Sequence, residues 1–362
     1  MSQDHSHFMR RALNLALKGK GQVSPNPCVG CVIVKNGKVV GEGYHQKFGG
    51  PHAEVFALNQ AGSKAKGATL YINLEPCSHW GKTPPCVPQL LKAGIKKVFV
   101  AMEDPNPKVS GRGIQILRKG GLQIHLGLEK RIAEELNQSF ITWMTQKRPY
   151  IVLKMAMSLD GKIASASGDS KWISSPLSRR LVHELRAGSD AVLIGANTAI
   201  KDNPSLTAHG AGRNPIRVIL DPHLRTPESL RIYKDKKAPT LVITSLNSSL
   251  KKARFLQRKG IQILRLGLKY GKFELRDVVR NISKVNVSQL FIEGGGETAW
   301  SFICHRLVDE ILVFVAPIII GGKDSKTPVE GAGFKRIKDA LKIKLLSITP
   351  LGPDVLIRGR FI

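Results

Sequence analysis

The chain has 362 residues, of which 42% are hydrophobic and 23% charged, and its formal net charge at pH 7 is +29. This length predicts two or three domains rather than one small core. No apolar run approaches the roughly 20 residues that span a bilayer, and the positive charge, which is spread along the chain without a basic tail, favours an anionic partner, either RNA or a small phosphate.

The first 146 residues predict an α/β domain in which strands alternate with helices over one sheet. The basic first helix has the charge of a transit peptide, but its apolar spacing favours a packed helix of a cytoplasmic protein. In chain order, the patterns indicate a helix that packs through Phe8, Leu13, Ala16 and Leu17, a hairpin over 29–44, a helix from Ala53, a strand over 68–76, a cysteine loop, a helix around Leu90, a strand over 96–103 and a closing helix over 129–144.

The five cysteines do not form the closely spaced, even set of a secreted domain, which predicts a reducing compartment. Cys28 and Cys31 spell a CxxC pair within the predicted hairpin. Residues three apart on a strand point to opposite faces, so the two thiols are expected to diverge. We therefore interpret this pair as structural rather than as a redox or zinc motif.

A polar segment that ends in proline, TQKRP at 145–149, is the predicted linker. The sequence after it again alternates strand and helix patterns and predicts a second α/β domain. Its predicted strands cover 150–157, 191–196, 216–221, 240–245, 261–267, 289–295, 310–317 and 355–362.

The clearest chemical signal combines one histidine, one glutamate and two cysteines. A catalytic zinc takes three protein ligands and keeps a fourth position open, and His52, Cys77 and Cys86 supply one imidazole and two thiolates. A His-x-Glu followed by Pro-Cys is the signature of zinc-dependent nucleobase deaminases, in which the glutamate carries protons and is not a ligand. Glu54 is the candidate for that catalytic role.

The predicted helices place these residues in suitable surroundings. His52 and the cysteine segment lie near helix starts, where the positive end of the helix favours thiolate. Residues two apart on a regular helix point to different sides, so His52 and Glu54 are expected in an irregular first turn. His79 is a rival ligand, but it has no counterpart in the signature. Alone, a histidine or cysteine is usually structural, whereas the joint pattern favours zinc.

Eight residues, SHWGKTPP, separate the two cysteines, where common deaminases have two. Together with SPNPCVGCVIV, GYHQKFGGPHAE, DPNPKVSGRG, LKMAMSLDGKIA and FIEGGGETAW, this spacing resembles the bifunctional riboflavin-biosynthesis deaminase/reductase family along nearly the whole chain. The resemblance implies a cytidine-deaminase-like three-layer domain over 1–146 and a dihydrofolate-reductase-like α/β domain over 147–362.

The same resemblance implies a function. A phosphoribosylated diaminopyrimidinone would be deaminated with zinc, and NADPH would then reduce the ribosyl group of the product to ribityl. The expected partner is this small substrate, with neither nucleic acid nor a membrane, and the expected assembly is a homodimer or a higher homo-oligomer.

In the second half, QLFIEGGGETAWSFI predicts a strand, a glycine turn and a helix, an arrangement that can hold phosphate on main-chain N–H groups. Alone the signal is weak, because the spacing is not GxGxxG. The resemblance implies cofactor contacts at Ala156, Trp172, Thr198, Asp202, Thr244 or Ser245, Gly295 and Gly296. It implies substrate contacts at Asn26, Lys154, Asp160, Ser170, Arg186, Leu206 and Glu293. Structural roles stay open for Trp172, as core packing, and for Asp202, as a turn or cap residue.

The chain departs from the family at His209, where an arginine commonly helps to hold the substrate phosphate. A neutral imidazole is a poorer phosphate partner than a guanidinium group. We expect Arg213, four residues later, to substitute and to share the charge with Arg186.

Two other functions compete with this interpretation. An RNA-acting deaminase with an accessory nucleic-acid-binding half would explain the charge, but the eight-residue gap and the lack of aromatic-rich RNA motifs oppose it. A degenerate scaffold is opposed by the intact set of candidate ligands and by Glu54.

Overall fold

The computed structural model of the protein describes residues 4–107 and 109–362. The chain divides into two units between Lys147 and Arg148, within the polar segment 145–149. Among the described residues, no helix combines the length and the apolar character needed to cross a bilayer.

The first unit is built on one mixed sheet. Its helices are α1 (His5–Leu17), α2 (Ala53–Ala61), α3 (Cys86–Lys92), α4 (Arg112–Lys119), α5 (Lys130–Leu136) and α6 (Gln138–Gln146). Its strands are β1 (Gly30–Lys35), β2 (Lys38–Tyr44), β3 (Thr69–Ile72), β4 (Lys97–Val100) and β5 (Gln123–Leu126). The strand order is β2-β1-β3-β4-β5, with β1 antiparallel to both neighbours and the pairs from β3 to β5 parallel.

Helices cover both faces of this sheet. Successive residues of β1 accordingly belong to two different hydrophobic clusters. Cys31 and Ile33 pack with α2, α3 and α4. Val32 and Val34 pack with α1, α5 and α6 on the opposite face. The first unit therefore has the three layers that the resemblance implies.

The hairpin formed by β1 and β2 is confirmed, and it separates the two cysteines of the CxxC pair. Asn36 and Gly37 make its turn with φ values of 50° and 74°, as a tight hairpin requires. Cys31 is buried beneath α2, whereas Cys28 packs with the end of α1. Burial raises the pKa of the Cys28 thiol to about 11. Both residues are packing residues of the hairpin region.

Helix α2 lies directly on the main chain of β2. A Cβ added at Gly41 would lie 2.1 Å from the carbonyl oxygen of Ala57, and one added at Gly43 would lie 2.6 Å from that of Ala53. A larger side chain at either position would push the helix off the strand. The first turn of α2, which follows His52, is thereby placed against the sheet.

Parts of the first unit differ from the sequence prediction. The patterns did not indicate α4 or β5, since both are short and β5 is an exposed edge strand. The predicted closing helix is divided at Asn137, whose side chain binds the main-chain N–H and C=O of Cys28. Leu17, expected on the packed face of α1, is 50% exposed.

The second unit is built on a nine-stranded sheet with the order β10-β9-β8-β7-β13-β6-β14-β16-β15. Its helices are α7 (Pro176–Ala187), α8 (Ala196–Asp202), α9 (Arg231–Lys234), α10 (Leu250–Arg258), α11 (Leu275–Ser283) and α12 (Gly296–Cys304). Its strands are β6 (Tyr150–Ser158), β7 (Ala191–Gly195), β8 (Ile216–Leu220), β9 (Thr240–Ser245), β10 (Gln262–Leu266), β11 (Leu268–Lys269), β12 (Lys272–Phe273), β13 (Gln289–Ile292), β14 (Glu310–Ala316), β15 (Ile343–Leu351) and β16 (Asp354–Phe361).

The strands from β10 to β14 in this order are parallel, and β16 and β15 add an antiparallel edge. Apolar residues of α11 and α12 cover one face, and those of α7, α8 and α10 cover the other. Each predicted strand is confirmed. The patterns missed the two-residue strands β11 and β12. They also missed β15, because it is exposed along most of its length and does not alternate. In such sheets ligands bind beyond the carboxyl ends of the parallel strands.

Candidate functional site

His52, Cys77 and Cys86 form a compact cluster in the first unit. Their ligand atoms all lie within 4.8 Å of one another. His52 Nδ1 lies 3.3 Å from Cys86 Sγ and 3.5 Å from Cys77 Sγ. One imidazole and two thiols at this spacing are a donor set that suits tetrahedral zinc.

The local structure explains why residues distant in sequence meet at this point. His52 is the extended residue before α2, with φ −77° and ψ 163°, and Cys86 is the first residue of α3. Cys77 follows β3, and its carbonyl oxygen accepts the main-chain N–H groups of Cys86 and Val87 at 3.1 and 3.2 Å. The two cysteines are therefore joined by main-chain hydrogen bonds, and both thiols also contact His52.

The electrostatics of the cluster also suit a cation. Hydrogen bonds from Cys86 and His52 lower the pKa of the Cys77 thiol to about 4, against the opposing effect of burial. The hydrogen bond to Cys77 raises the pKa of His52. A cysteine binds metal as a thiolate, and the lowered pKa of Cys77 favours that state. The residues present fit zinc.

Glu54 lies in the first turn of α2 and is only 3% exposed. Burial raises the pKa of its carboxyl group, and the nearby Cys77 acts in the same direction. His52 is extended and Glu54 helical, so both face the cluster although they are two residues apart. The expectation of an irregular helix start is confirmed.

Asn26 is held beside the cluster by His45, a residue that the sequence patterns did not single out. His45 Nδ1 donates to the carbonyl oxygen of Pro51 at 2.9 Å, and Nε2 accepts from the Asn26 amide at 3.1 Å. The rings of His45 and His52 meet edge to face, with centroids 5.6 Å apart. The quoted motif GYHQKFGGPHAE contains both histidines, but spacing alone does not reveal this contact.

A buried carboxylate organises the loop that contains DPNPKVSGRG. Glu75 Oε2 accepts the main-chain N–H groups of Asp104 and Gly111 at 3.1 and 2.9 Å, and Oε1 accepts those of Gly113 and Ile114 at 2.9 and 3.2 Å. Glu75 lies two residues before Cys77, so it ties this loop to the segment that carries one thiol. Sequence reasoning also missed this role.

In the second unit, Arg186 and Glu293 form a buried ion pair just beyond the carboxyl end of β13. Arg186 Nε and Nη2 lie 2.6 and 2.9 Å from the two carboxylate oxygens, and Nη1 donates to the carbonyl oxygen of Thr207 at 3.0 Å. Burial opposes ionisation of Glu293, but the charge of Arg186 lowers its pKa. The half-buried Lys154 adds positive charge to this pair, and burial lowers its own pKa. These predicted substrate residues are therefore brought together.

The predicted substrate residue Leu206 precedes Thr207 on the same segment. It is 2% exposed and has a φ of 52°. Arg217, which is 1% exposed, binds the carbonyl oxygen of Ser205 at 3.3 Å and Asp235 at 2.7 Å. The segment 205–207 is thus held by two arginines, of which sequence reasoning identified only Arg186.

The expected phosphate partners do not all lie together. Arg213 Nη2 is paired with Asp190 at 2.8 Å, and Asp190 also binds the main chain of Ser288 and Gln289 at the amino end of β13. Glu293 lies past the other end of this strand. The structure therefore does not bring Arg213 to the Arg186–Glu293 pair, and its expected role as the substitute for His209 is not supported.

His209 instead stacks on His183 of α7, with ring centroids 4.3 Å apart. Burial lowers the pKa of both histidines, and the charge of Arg186 lowers them further. Lys237 also faces His209, while Arg179 and Glu293 face His183. This histidine pair was not anticipated, because nothing in the spacing of residues 183 and 209 indicates contact.

The glycine turn that follows β13 has the features of a phosphate cradle. Gly295 precedes the nine-residue helix α12, and its N–H donates to Thr198 Oγ1 at 3.3 Å. A Cβ at Gly296 would lie 2.6 Å from the carbonyl oxygen of Thr327, whereas one at Gly295 would meet only Thr198, at 3.5 Å. Gly296 is therefore required for packing, and Gly295 leaves space above the helix start. This geometry fits the phosphates of a dinucleotide.

The remaining predicted contacts differ in exposure. Trp172 is 70% exposed beneath Arg179, which lies 4.5 Å from its ring centroid, so core packing is excluded. Thr244 and Ser245 are buried, at 0% and 3% exposure, and present no side chain to a cofactor. Ala156, Ser170 and Asp202 are half-buried, and Asp202 is the last residue of α8.

Asp160 has a structural task that sequence reasoning did not anticipate. Its carboxylate accepts Ser158 Oγ at 2.6 Å and the main-chain N–H groups of Ile320 and Gly321 at 3.1 and 2.7 Å. These bonds lower its pKa to about 2. Asp160 therefore connects the end of β6 to the segment after β14.

Comparison with known proteins covers both units. Residues 2–102 match the family model of the cytidine and deoxycytidylate deaminase zinc-binding region, and residues 149–357 match the RibD C-terminal domain. The riboflavin biosynthesis protein RibD of Aquifex aeolicus is 46% identical over 353 residues, which are 97% of each chain. That of Bacillus amyloliquefaciens is 42% identical over 96% of this chain and 94% of its own.

Solved structures agree along the whole length. The deaminase/reductase of Thermotoga maritima superposes with a TM-score of 0.88 at 37% identity, covering 99% of this chain and 98% of that one. RibD of Acinetobacter baumannii gives 0.88 at 38% identity with the same coverage. These matches confirm a cytidine-deaminase-type first domain with a zinc site and a dihydrofolate-reductase-like second domain that uses NADPH. The chain belongs to the RibD family of bifunctional riboflavin-biosynthesis deaminases and reductases.

Proposed function

We propose that the first unit deaminates a phosphoribosylated diaminopyrimidinone and that the second unit reduces the ribosyl group of the product. The observation that carries this proposal is the buried carboxyl group of Glu54 beside the cluster of His52, Cys77 and Cys86. The relative from Thermotoga maritima is described as a deaminase and reductase of this kind. The similarity includes the whole second unit, which leaves no support for an RNA-binding half.

In the deaminase site, Glu54 is the proton carrier. His52, Cys77 and Cys86 would hold zinc, which when bound would supply the Lewis acidity that makes water nucleophilic near neutral pH. The Glu54 carboxylate accepts a proton from the attacking water and delivers it to the ring nitrogen, and it then accepts the remaining proton of the newly added hydroxyl group and delivers it to the amino group, which leaves as ammonia when the C–N bond breaks. Its burial excludes bulk water, so the proton stays at this carboxyl group between the two transfers. Asn26, which is fixed by His45, is the proposed residue that orients the substrate.

In the reductase site, the chain provides charge and position. NADPH, when bound, supplies the hydride, and the turn at Gly295 with Thr198 is the proposed cradle for its phosphates. Lys154, Arg186 and Glu293 form the polar group that would hold the sugar and the pyrimidine ring. Trp172 and Asp202 remain proposed cofactor contacts, and Ser170 a substrate contact.

The substrate phosphate is proposed to lie beside the stacked rings of His183 and His209. Three groups near them are positively charged, namely Arg179, Arg186 and Lys237. Arg186 is largely committed to Glu293, so protonation of the rings is the available source of further positive charge.

The exposed edge strand β15 supports a homodimer. Leu345 and Ile348 are 56% and 61% exposed on a strand whose outer side is unpaired among the described residues. Unprotected apolar edges promote pairing with another chain. We propose that two copies associate through β15.

The five free cysteines fit the reducing cytoplasm.

Cys86→Ala should bind zinc poorly and lose deaminase activity, because a site deprived of one thiolate no longer completes its ligand set. Cys28→Ala is the matched control, and it should keep both properties, since Cys28 belongs to an apolar cluster with Ala16, Val23 and Leu136. Metal analysis and ammonia release measure the two effects. Zinc loss in the Cys28 variant alone would assign the metal to the CxxC pair instead.

Glu54→Gln should retain zinc while its deaminase kcat falls by about 100- to 10,000-fold, the usual contribution of a positioned proton carrier. The same variant should still oxidise NADPH when it is given the deaminated substrate, because the second site is built entirely from the second unit. Stoichiometric loss of zinc would show that the carboxylate is structural. Loss of both activities would contradict the assignment of one site to each unit.

The affinity of the reductase for its phosphorylated substrate should rise as pH falls below 6.5. Both His183 and His209 have lowered pKa values, so the imidazolium charge is present only below 6.5 and is lost as pH rises through the folded pKa. A charge-assisted phosphate contact corresponds to about a ten- to hundred-fold change in KM.

His209→Ala controls for the second ionisation of the phosphate, which lies near 6. The pH dependence specific to the histidine should disappear in this variant. Arg213→Ala should leave KM unchanged, because Asp190 already neutralises that guanidinium group. Two results together would show that Arg213, and not His209, binds the phosphate. They are a raised KM in Arg213→Ala and the same pH dependence of KM in wild type and His209→Ala.

Leu345→Glu should shift the protein from dimer to monomer in sedimentation equilibrium, since a buried carboxylate would be introduced at the proposed contact. Val285→Lys changes another exposed apolar residue, 43% exposed at the end of α11, and should have no effect. A monomeric wild-type protein, or a dimer unchanged by Leu345→Glu, would refute association through β15.

A further inference from the structure

The imidazole of His52 is held at both of its nitrogen atoms. Nδ1 faces the two thiols, at 3.3 Å from Cys86 Sγ and 3.5 Å from Cys77 Sγ. On the other side of the ring, Nε2 lies 3.0 Å from Thr83 Oγ1. Each nitrogen therefore has its own partner. The thiols mark the side on which a metal would bind, and the hydroxyl can accept a hydrogen from the other nitrogen.

The proton on the ring follows from this arrangement. A histidine binds a metal through an unprotonated nitrogen, and the other ring nitrogen then carries the hydrogen. Since Nδ1 faces the thiols, the hydrogen must lie on Nε2, where it donates to Thr83 Oγ1. We propose that Thr83 is a positioning residue that fixes both the rotation and the tautomer of His52 for metal binding.

The surroundings of His52 leave this task to Thr83. The ring of His45 lies nearest, but its two nitrogens are occupied by the carbonyl oxygen of Pro51 and the amide of Asn26. Glu54 influences the charge on His52, but no hydrogen bond joins the two side chains among the described contacts. The threonine hydroxyl is therefore the acceptor for Nε2–H.

Thr83 belongs to the eight residues that separate the two cysteines. The carbonyl oxygen of Thr83 accepts the N–H of Gly81 at 3.3 Å, and Pro84 follows it directly. A residue before proline is restricted to extended conformations, and Pro85 continues with φ −64° and ψ 145° into the start of α3. The main chain is thus restricted before and after Thr83. The position of its hydroxyl relative to Nε2 therefore varies little.

This placement gives the long cysteine gap a physical purpose. A gap of two residues is too short to bring one of them into contact with the ring of His52 and also place the second cysteine at the start of α3. The extra residues let the chain loop past the histidine and bring its own hydrogen-bond acceptor. Such outer partners orient a ligand and raise its basicity, and their loss typically lowers metal affinity by about 10- to 100-fold.

Thr83→Val tests the proposal, because it removes the hydroxyl and preserves the branched shape. Its zinc affinity, measured by competition with a chelator on the full chain, should fall by about 10- to 100-fold. Thr83→Ser restores the hydroxyl and should bind zinc nearly as tightly as wild type. Thr145→Val is the matched control in the same unit, since it removes a hydroxyl that donates to the carbonyl oxygen of Ile141 in α6.

A second measurement reports the hydrogen bond itself. In zinc-loaded protein labelled with ¹⁵N-histidine, the Nε2–H of His52 should be detectable and should exchange slowly with solvent in wild type and in Thr83→Ser. In Thr83→Val, which offers no hydroxyl acceptor, the same N–H should exchange faster.

The outcomes separate this inference from the proposed function on which it rests. Wild-type protein that binds no zinc would refute the deaminase site itself. Wild-type protein that binds zinc, together with Thr83→Val of equal affinity and unchanged Nε2–H exchange, would refute only the role of Thr83. Equal losses in Thr83→Ser and Thr83→Val would show that the residue acts through shape and not through its hydroxyl.

Discussion

The deaminase site depends on the direct contact between helix α2 and the main chain of strand β2. Gly41 and Gly43 allow this approach, since a Cβ at either position would collide with carbonyl oxygens of the helix. The contact fixes where α2 begins, and the helix start carries His52 and Glu54. The cysteines are aligned to the same sheet by β3 and by the main-chain bonds between Cys77 and Cys86. A site of four side chains is thus positioned mainly by backbone.

The reductase site is organised by charge rather than by close backbone contact. Arg186 and Glu293 are 12% and 9% exposed, and removing one partner from such a pair typically costs about 3–5 kcal/mol, because the other charge is left buried. The pair also holds the Thr207 segment, so its loss would disturb the walls of the site together with its charge. This coupling makes a substitution at Arg186 hard to interpret as a loss of substrate contact alone.

The sequence predicted the strands that are apolar runs and the ligands whose spacing belongs to a signature. The hairpin, eight of the eleven strands of the second unit and the cluster of His52, Cys77 and Cys86 follow from such local patterns. Strand β15 was missed because it lacks a buried face. The roles of Glu75, Thr83 and His183 could not be predicted, since each depends on a contact made through folding and not on spacing along the chain.

The four hydrogen bonds of Glu75 hold residues 104, 111, 113 and 114 through their main chain. The carboxylate binds main-chain N–H groups, which every residue except proline provides. Gly111, with φ 75°, and Gly113, where a Cβ would lie 2.1 Å from the carbonyl oxygen of Pro76, are restricted in identity. Glu75 does not bind the side chains of the segment that it holds, so these hydrogen bonds survive any substitution there that keeps the course of the main chain.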